Sequence, residues 1–138
     1  MIYQQQINFR TSGRSTTNIT REIEATILQS KINTGLCHVF IHHTSASLII
    51  TENADPSVRR DLEYFISKYV LDGDPGYHHD MEGDDDMAAH IRSVLTQTEV
   101  TVPVSAGQST LGTWQGVFLW EHRFNSHQRK ITVTVTGE

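Results

Sequence analysis

Between Tyr69 and Ile91 the sequence carries seven acidic residues and no lysine or arginine, and within that stretch His79, Glu82, Asp85, Asp86 and His90 bring imidazoles and carboxylates close together. Those are the donors that a divalent cation such as zinc or manganese takes. Asp86 and His90 stand four apart, so a helix through them puts both on one face. His79 belongs to the preceding loop and can approach the start of that helix. Two imidazoles and a carboxylate would form a partial shell, with positions open for water or ligand. The spacing is not His-Glu-x-x-His, and acids at a helix start also have a capping and dipole explanation. A solvated acidic loop is the competing reading.

A second group lies in Gly116-Val117-Phe118-Leu119-Trp120-Glu121-His122-Arg123. On a strand, His122 shares a face with Phe118, Trp120 and Phe124, while Glu121 and Arg123 share the other with Val117 and Leu119. A histidine on an apolar face is either a hydrogen-bonded core residue or a ligand or catalyst, and His43, beside His42, carries the same ambiguity. His38, His42 and His127 have no partner pattern. Other motifs fail chemically. Gly107 and Gly112 have P-loop spacing, but Thr113 and Trp114 stand where Lys and Ser/Thr are needed. Ser45 and Ser47 lie outside a Gly-x-Ser-x-Gly elbow. Cys37 and His38 point to opposite faces of a strand, a poor nucleophile–base pair.

These groups need elements to hold them. The chain of 138 residues is expected to form one domain, 1–138, with a core large enough to need no staples, and the single Cys37 offers none. Alternation over residues 2–9 predicts a first strand. Asn18 or Thr20 would cap a helix running to about residue 33, with Ile19, Ile23 and Ile27 inside and Gly35 as its stop. The β-branched run 36–51 predicts one long strand, or two with a bend near Thr44-Ser45. Asp55-Pro56 opens a second helix with the stripe Val58, Leu62, Phe65, Ile66 and Tyr69. A third helix is expected over 85–95, burying Met87, Ile91, Val94 and Leu95. Strands are expected over 99–104, 115–124 and 129–136, the last alternating valine or isoleucine with threonine. Strands at both ends and helices between them point to an α+β fold with mainly antiparallel sheet.

Charge excludes some functions. The acidic segment carries −7 of a net −5, and no basic stripe exists, which disfavours nucleic acid. No apolar run approaches a membrane span, and the first residues lack a signal-peptide pattern, so no membrane partner and a cytoplasmic location are expected.

His43-Thr44-Ser45-Ala46-Ser47-Leu48, Glu52-Asn53-Ala54-Asp55-Pro56, Glu82-Gly83-Asp84-Asp85-Asp86-Met87-Ala88-Ala89-His90-Ile91, Leu111-Gly112-Thr113-Trp114-Gln115-Gly116 and Glu121-His122-Arg123 together resemble the YjbQ-like family, the secondary thiamine-phosphate synthases. The resemblance covers nearly the whole chain in order. It implies a β-sandwich core, a homotrimer, and a metal bound by histidines drawn from His43, His79, His90 and His122. It also implies thiamine-phosphate synthase activity, which joins a pyrimidine pyrophosphate to a thiazole phosphate with loss of pyrophosphate. Ala88 stands where the family often has proline, and both suit a first helical turn.

The expected function is thus a metal-dependent enzyme acting on a small phosphorylated molecule. His43, His79 and His90 are the expected ligands of a divalent ion (zinc, manganese or magnesium), with Asp86, Glu82 and His122 as orienting or proton-handling groups. Ser45, Glu52, Arg123 and the amides near Gly112 and Thr113 are the expected ligand contacts. The alternative is a non-catalytic trimeric module that binds a metal or small ligand.

Overall fold

A computed structural model describes residues 1–138. The elements are β1 (Ile2–Arg10), β2 (Ser15–Asn18), α1 (Thr20–Ser30), β3 (Gly35–Ile41), β4 (Ala46–Glu52), α2 (Pro56–Tyr69), α3 (Asp84–Leu95), β5 (Glu99–Ser105), β6 (Gln108–Ser109), β7 (Gln115–Glu121) and β8 (Gln128–Gly137). Every strand pair is antiparallel. Five strands form one sheet in the order β1-β8-β3-β5-β6 and three form a second in the order β2-β7-β4. The fold is α+β with three helices, its sheets curving as a half-barrel around a shared core. No helix is long and apolar enough to cross a membrane.

Strand periodicity builds that core. Val133 and Val135 of β8, Val39 and Ile41 of β3, and Val100 and Val104 of β5 point inward from the large sheet, and Leu48, Val117 and Leu119 meet them from the small one. Helix α1 closes the side with Ile23 and Ile27, one turn apart. A smaller cluster of Ile66, Val70, Ala88 and Trp120 seals α2 and α3 onto the other face of the small sheet. Strand β7 is therefore buried on both faces.

Several expectations change. Helix α1 ends at Ser30, not near residue 33: Lys31 takes a left-handed φ of 60°, and the Ser30 hydroxyl bonds the Ile27 carbonyl. Gly35 is not its stop but the first residue of β3, where a Cβ would sit 1.9 Å from the Thr136 carbonyl oxygen. Of the two readings of the run 36–51, the structure takes the second: two strands, on different sheets, broken at residues 42–45. The largest change is in α3. Its buried face is Asp85, Ala88, Ala89 and Arg92, whereas Val94 is 83% and Leu95 64% exposed and Met87 and Ile91 are half-buried. Two alanines let the helix lie close to the sheet, and the ion pair of buried Arg92 with Glu63 of α2 supplies a polar partner. On α2, Phe65 is 61% and Tyr69 72% exposed, so only part of the expected stripe is covered.

Candidate metal centre

The centre is assembled at the start of α3. Gly83, at φ 104°, turns the chain into the helix, and Asp84, Asp85 and Asp86 occupy its first turn, where the free amides favour negative charge. One oxygen of buried Asp86 accepts from Arg123 Nη1 at 2.7 Å. The other, Oδ2, lies 2.7 Å from His79 Nε2 and 3.4 Å from His90 Nε2. One donor atom from each of His79, Asp86 and His90 fits within 4.8 Å of the others.

The second nitrogen of His90 fixes its chemistry. Nδ1 donates to the Thr44 carbonyl at 3.0 Å, so Nε2 is the nitrogen turned toward the Asp86 oxygen. A proton or a cation between Nε2 and that oxygen makes the contact attractive. Donors 2.0–2.1 Å from one tetrahedral ion stand about 3.3 Å apart, close to the His90–Asp86 spacing. Imidazole, imidazole and carboxylate therefore fit a divalent ion of the zinc or manganese type, and the backbone acceptor behind His90 is the kind of outer partner that holds a metal-binding imidazole.

Arg123 anchors the carboxylates. Its Nε donates to Asp85 Oδ2 at 2.9 Å, Nη1 to Asp86, and Nη2 to the Glu82 carbonyl at 2.9 Å. Burial pushes Asp85 upward, but the Phe124 amide and Arg123 hold it below the usual carboxylate range. Burial likewise pushes Asp86 upward, and the bond with His79, then Glu82 and the Arg123 charge, bring it below. Glu82 itself is exposed, with Oε2 3.6 Å from His79 Nε2. The neighbouring His78 is exposed and outside the cluster.

The remaining expected site residues lie elsewhere. His43 is not in the cluster: its Nε2 accepts the Lys130 amide proton at 2.8 Å, so the nitrogen nearest that strand is already used. Burial, then Arg129, lowers its pKa. It does share a cavity of about 300 Å³ with Thr44, His90, Ser93, Val94 and Thr98. His122 is fully buried, bonded through Nε2 to the Ser47 hydroxyl at 2.8 Å, which Thr96 contacts in turn. Burial, with Arg92, Arg14 and Arg129, pushes His122 down to about 3, so a ring that stays neutral at pH 7 is no proton donor. Arg123, committed to three acceptors, is not an open phosphate contact. Ser45 is buried and accepts from Arg129 Nη2, supporting the Arg129–Glu121 ion pair.

Glu52, Gly112 and Thr113 sit at the wrong end of the small sheet. Strands β4 and β7 run antiparallel with Glu52 opposite Gln115 and Ala46 opposite Glu121. Seven residues of strand span about 20 Å, which separates Glu52 and the turn before β7 from the Arg123 end. Glu52 Oε2 instead accepts from the amides of Ala54 and Asp55, and the Gly112 amide donates to Gln115 Oε1. Sequence reasoning missed the Thr44 carbonyl, the pairing of Arg123 with two acids, and buried Arg92. Only Arg123 carried a signal, as the lone cation following Glu121-His122 opposite a run of aspartates.

Comparisons with known proteins bear on the family and the fold. A UPF0047 protein of Synechocystis, sll1880, is 51% identical over 136 residues, 99% of this chain and 92% of its own length. The UPF0047 protein YjbQ of Escherichia coli O157:H7 is 41% identical over the full length of both. The crystal structure of an uncharacterized conserved protein of the YjbQ/UPF0047 family from Clostridium acetobutylicum superposes with a TM-score of 0.88 at 30% identity, covering 96% of this chain and 99% of that one. With the model for the UPF0047 protein YjbQ-like family matching residues 5–138, this chain belongs to that family.

Proposed function

We propose that this protein is a metal-dependent enzyme acting on a small phosphorylated molecule, with His79, Asp86 and His90 as the metal donors. The observation that carries the reading is the convergence of His79 Nε2 and His90 Nε2 on Asp86 Oδ2, at 2.7 and 3.4 Å, with Thr44 holding His90 from behind and Arg123 holding Asp86. A bound divalent ion there supplies positive charge for phosphate or pyrophosphate oxygens as a leaving group departs. The chain's own residues do the rest. Arg123 fixes the Asp86 carboxylate, Thr44 fixes the His90 ring, and Glu82 stands near enough to His79 to orient it or hold a water. The cavity shared by His43 and His90 receives the substrate. Family membership favours thiamine-phosphate synthase chemistry as the reaction class to assay first, and a homotrimer as the assembly.

Element-resolved metal analysis of protein purified without an affinity tag tests this, paired with a pyrophosphate-release assay on the same protein and on His90→Ala. Metal at about one ion per chain, lost in the variant along with turnover, is the expected result. Activity that survives both exhaustive chelation and alanine at His79 and His90 would overturn it.

The burial of His122 favours a second reading, because it leaves the site without the expected proton donor. In that reading the protein is a non-catalytic module that retains a metal or metabolite. Tight retention with no turnover across phosphate-ester and pyrophosphate substrates would establish it.

A further inference from the structure

A second polar cavity, of about 260 Å³, opens between β2 and α2 and is lined among others by Arg14, Thr16, Arg59, Arg60, Glu63 and Trp120. It concentrates three guanidinium groups against one carboxylate in a chain of net charge −5. Arg14 is held rigidly: Nε donates to the His122 carbonyl at 2.8 Å, both Nη atoms pair with Asp72, and its plane lies 4.3 Å over the Phe124 ring. Arg59 is also oriented, 4.4 Å over the Phe118 ring, with Nη1 on the Glu52 carbonyl at 3.1 Å and no protein acceptor on Nε or Nη2. Arg60 makes no hydrogen bond or salt bridge in the chain, although its charge and that of Arg59 act on the Asp55 carboxylate.

The placement of Arg59 and Arg60 opposes the helix field. Helix α2 begins at Pro56 and has no acidic residue in its first turn, and the Asp55 carboxylate is committed to the Ser57 amide. Cations near a helix N-terminus are unfavourable unless an anion offsets them, and Asp55, the anion at this end, does not line the cleft. The positive charge also continues inward: Glu63 accepts from Nη1 of fully buried Arg92, whose Nε and Nη2 have no partner. A guanidinium preoriented on an aromatic face with free donors suits several oxygens of one oxyanion.

We propose that this cleft binds a small phosphate monoester or free phosphate through Arg59 and Arg60, with Arg14 supplying fixed positive charge. The cavity exceeds a bare phosphate, and Trp120 and Pro56 offer apolar surface to the remainder of an ester. The site shares no donor with the metal centre and does not rest on the metal reading.

Isothermal titration with inorganic phosphate, and separately with glycerol phosphate, tests it on the full chain as purified and after chelation. Saturable binding at one site per chain is expected after chelation, and that site should persist in the protein as purified alongside any binding at the metal centre. Arg59→Gln with Arg60→Gln should weaken it at least tenfold, and His79→Ala with His90→Ala should leave it unchanged. Arg60→Gln alone, at an exposed side chain without bonds, keeps the fold intact and should still weaken binding severalfold. Tighter binding of glycerol phosphate marks an ester as the ligand; equal affinity marks free phosphate. Absence of saturable binding, affinity unaltered by the arginine variants, or dependence on the metal ligands would overturn the proposal. So would competition by acetate equal to that by sulfate, which would mark a carboxylate site.

Discussion

Because the Thr44 carbonyl takes the Nδ1 proton of His90, the ring's other nitrogen is the one that faces Asp86, and a single proton or cation between them decides whether that contact attracts or repels. His90→Ala removes a donor outright and should abolish metal retention, read by element analysis. Arg123→Gln leaves all three donors but frees Asp86, and loss of such an outer partner typically weakens metal affinity about 10–100-fold. Competition with a chelator should show the two variants in that order, with circular dichroism checking that both fold. His122 makes a different prediction. Its ring is neutral in the folded protein down to about pH 3 but takes a proton near 6.5 once unfolded. The stability that its burial contributes is therefore full above pH 6.5 and is lost as pH falls toward 3. Melting temperature should begin to drop below pH 6.5 in the parent protein. His122→Gln, lower overall, should fall less steeply below pH 6.5, keeping only the loss from His43, whose pKa burial also lowers; an unchanged slope would count against the assignment.

At the scale of elements, helix α3 shows where a sequence pattern is read correctly and still misplaced. The acidic start, the helix itself and the i,i+4 pairing of Asp86 with His90 were all legible from spacing. The buried face was not, because apolar side chains read as inward, and the structure buries Ala88, Ala89 and Arg92 instead. Small residues carry little hydrophobic signal, and a buried arginine becomes readable only once Glu63 of another helix is beside it. The same limit hid the separation of Glu52 and Gly112 from the metal donors: both lie in motifs with site-like residues, but only antiparallel register reveals that they occupy the far end of the strands. Two substitutions on α3 make the difference measurable. Ala88→Leu overpacks the seam against the small sheet and should cost about 1–3 kcal/mol in denaturant unfolding. Val94→Ser, at a position 83% exposed, should change the stability of the isolated chain by less than about 0.5 kcal/mol. The reverse order is what the sequence alone would predict.

Over the whole molecule, the sheet content was legible because the alternation in β8 and the β-branched run of β3 and β4 are strong local signals, while the half-barrel depends on long-range contacts such as the pair of Arg129 on β8 with Glu121 on β7. Large apolar residues are left outside on both α2 and α3. Phe65 and Tyr69 on α2 and Val94 and Leu95 on α3 are all more than half exposed, and Val94 also borders the cavity holding His43 and His90. Burying one large apolar side chain contributes about 1.5–3 kcal/mol, so covering several per protomer can supply much of an association energy. A neighbouring copy seated on Val94 would at the same time wall off the cavity beside His90. The proposed trimer therefore predicts a mass three times 15.6 kDa in sedimentation equilibrium at micromolar protein. Val94→Asp combined with Leu95→Asp should shift that mass toward one chain while leaving the circular dichroism spectrum unchanged, since neither side chain is packed within the protomer. A parent protein that sediments as a single chain would remove the trimer and, with it, the closing of the His90 cavity by a second copy.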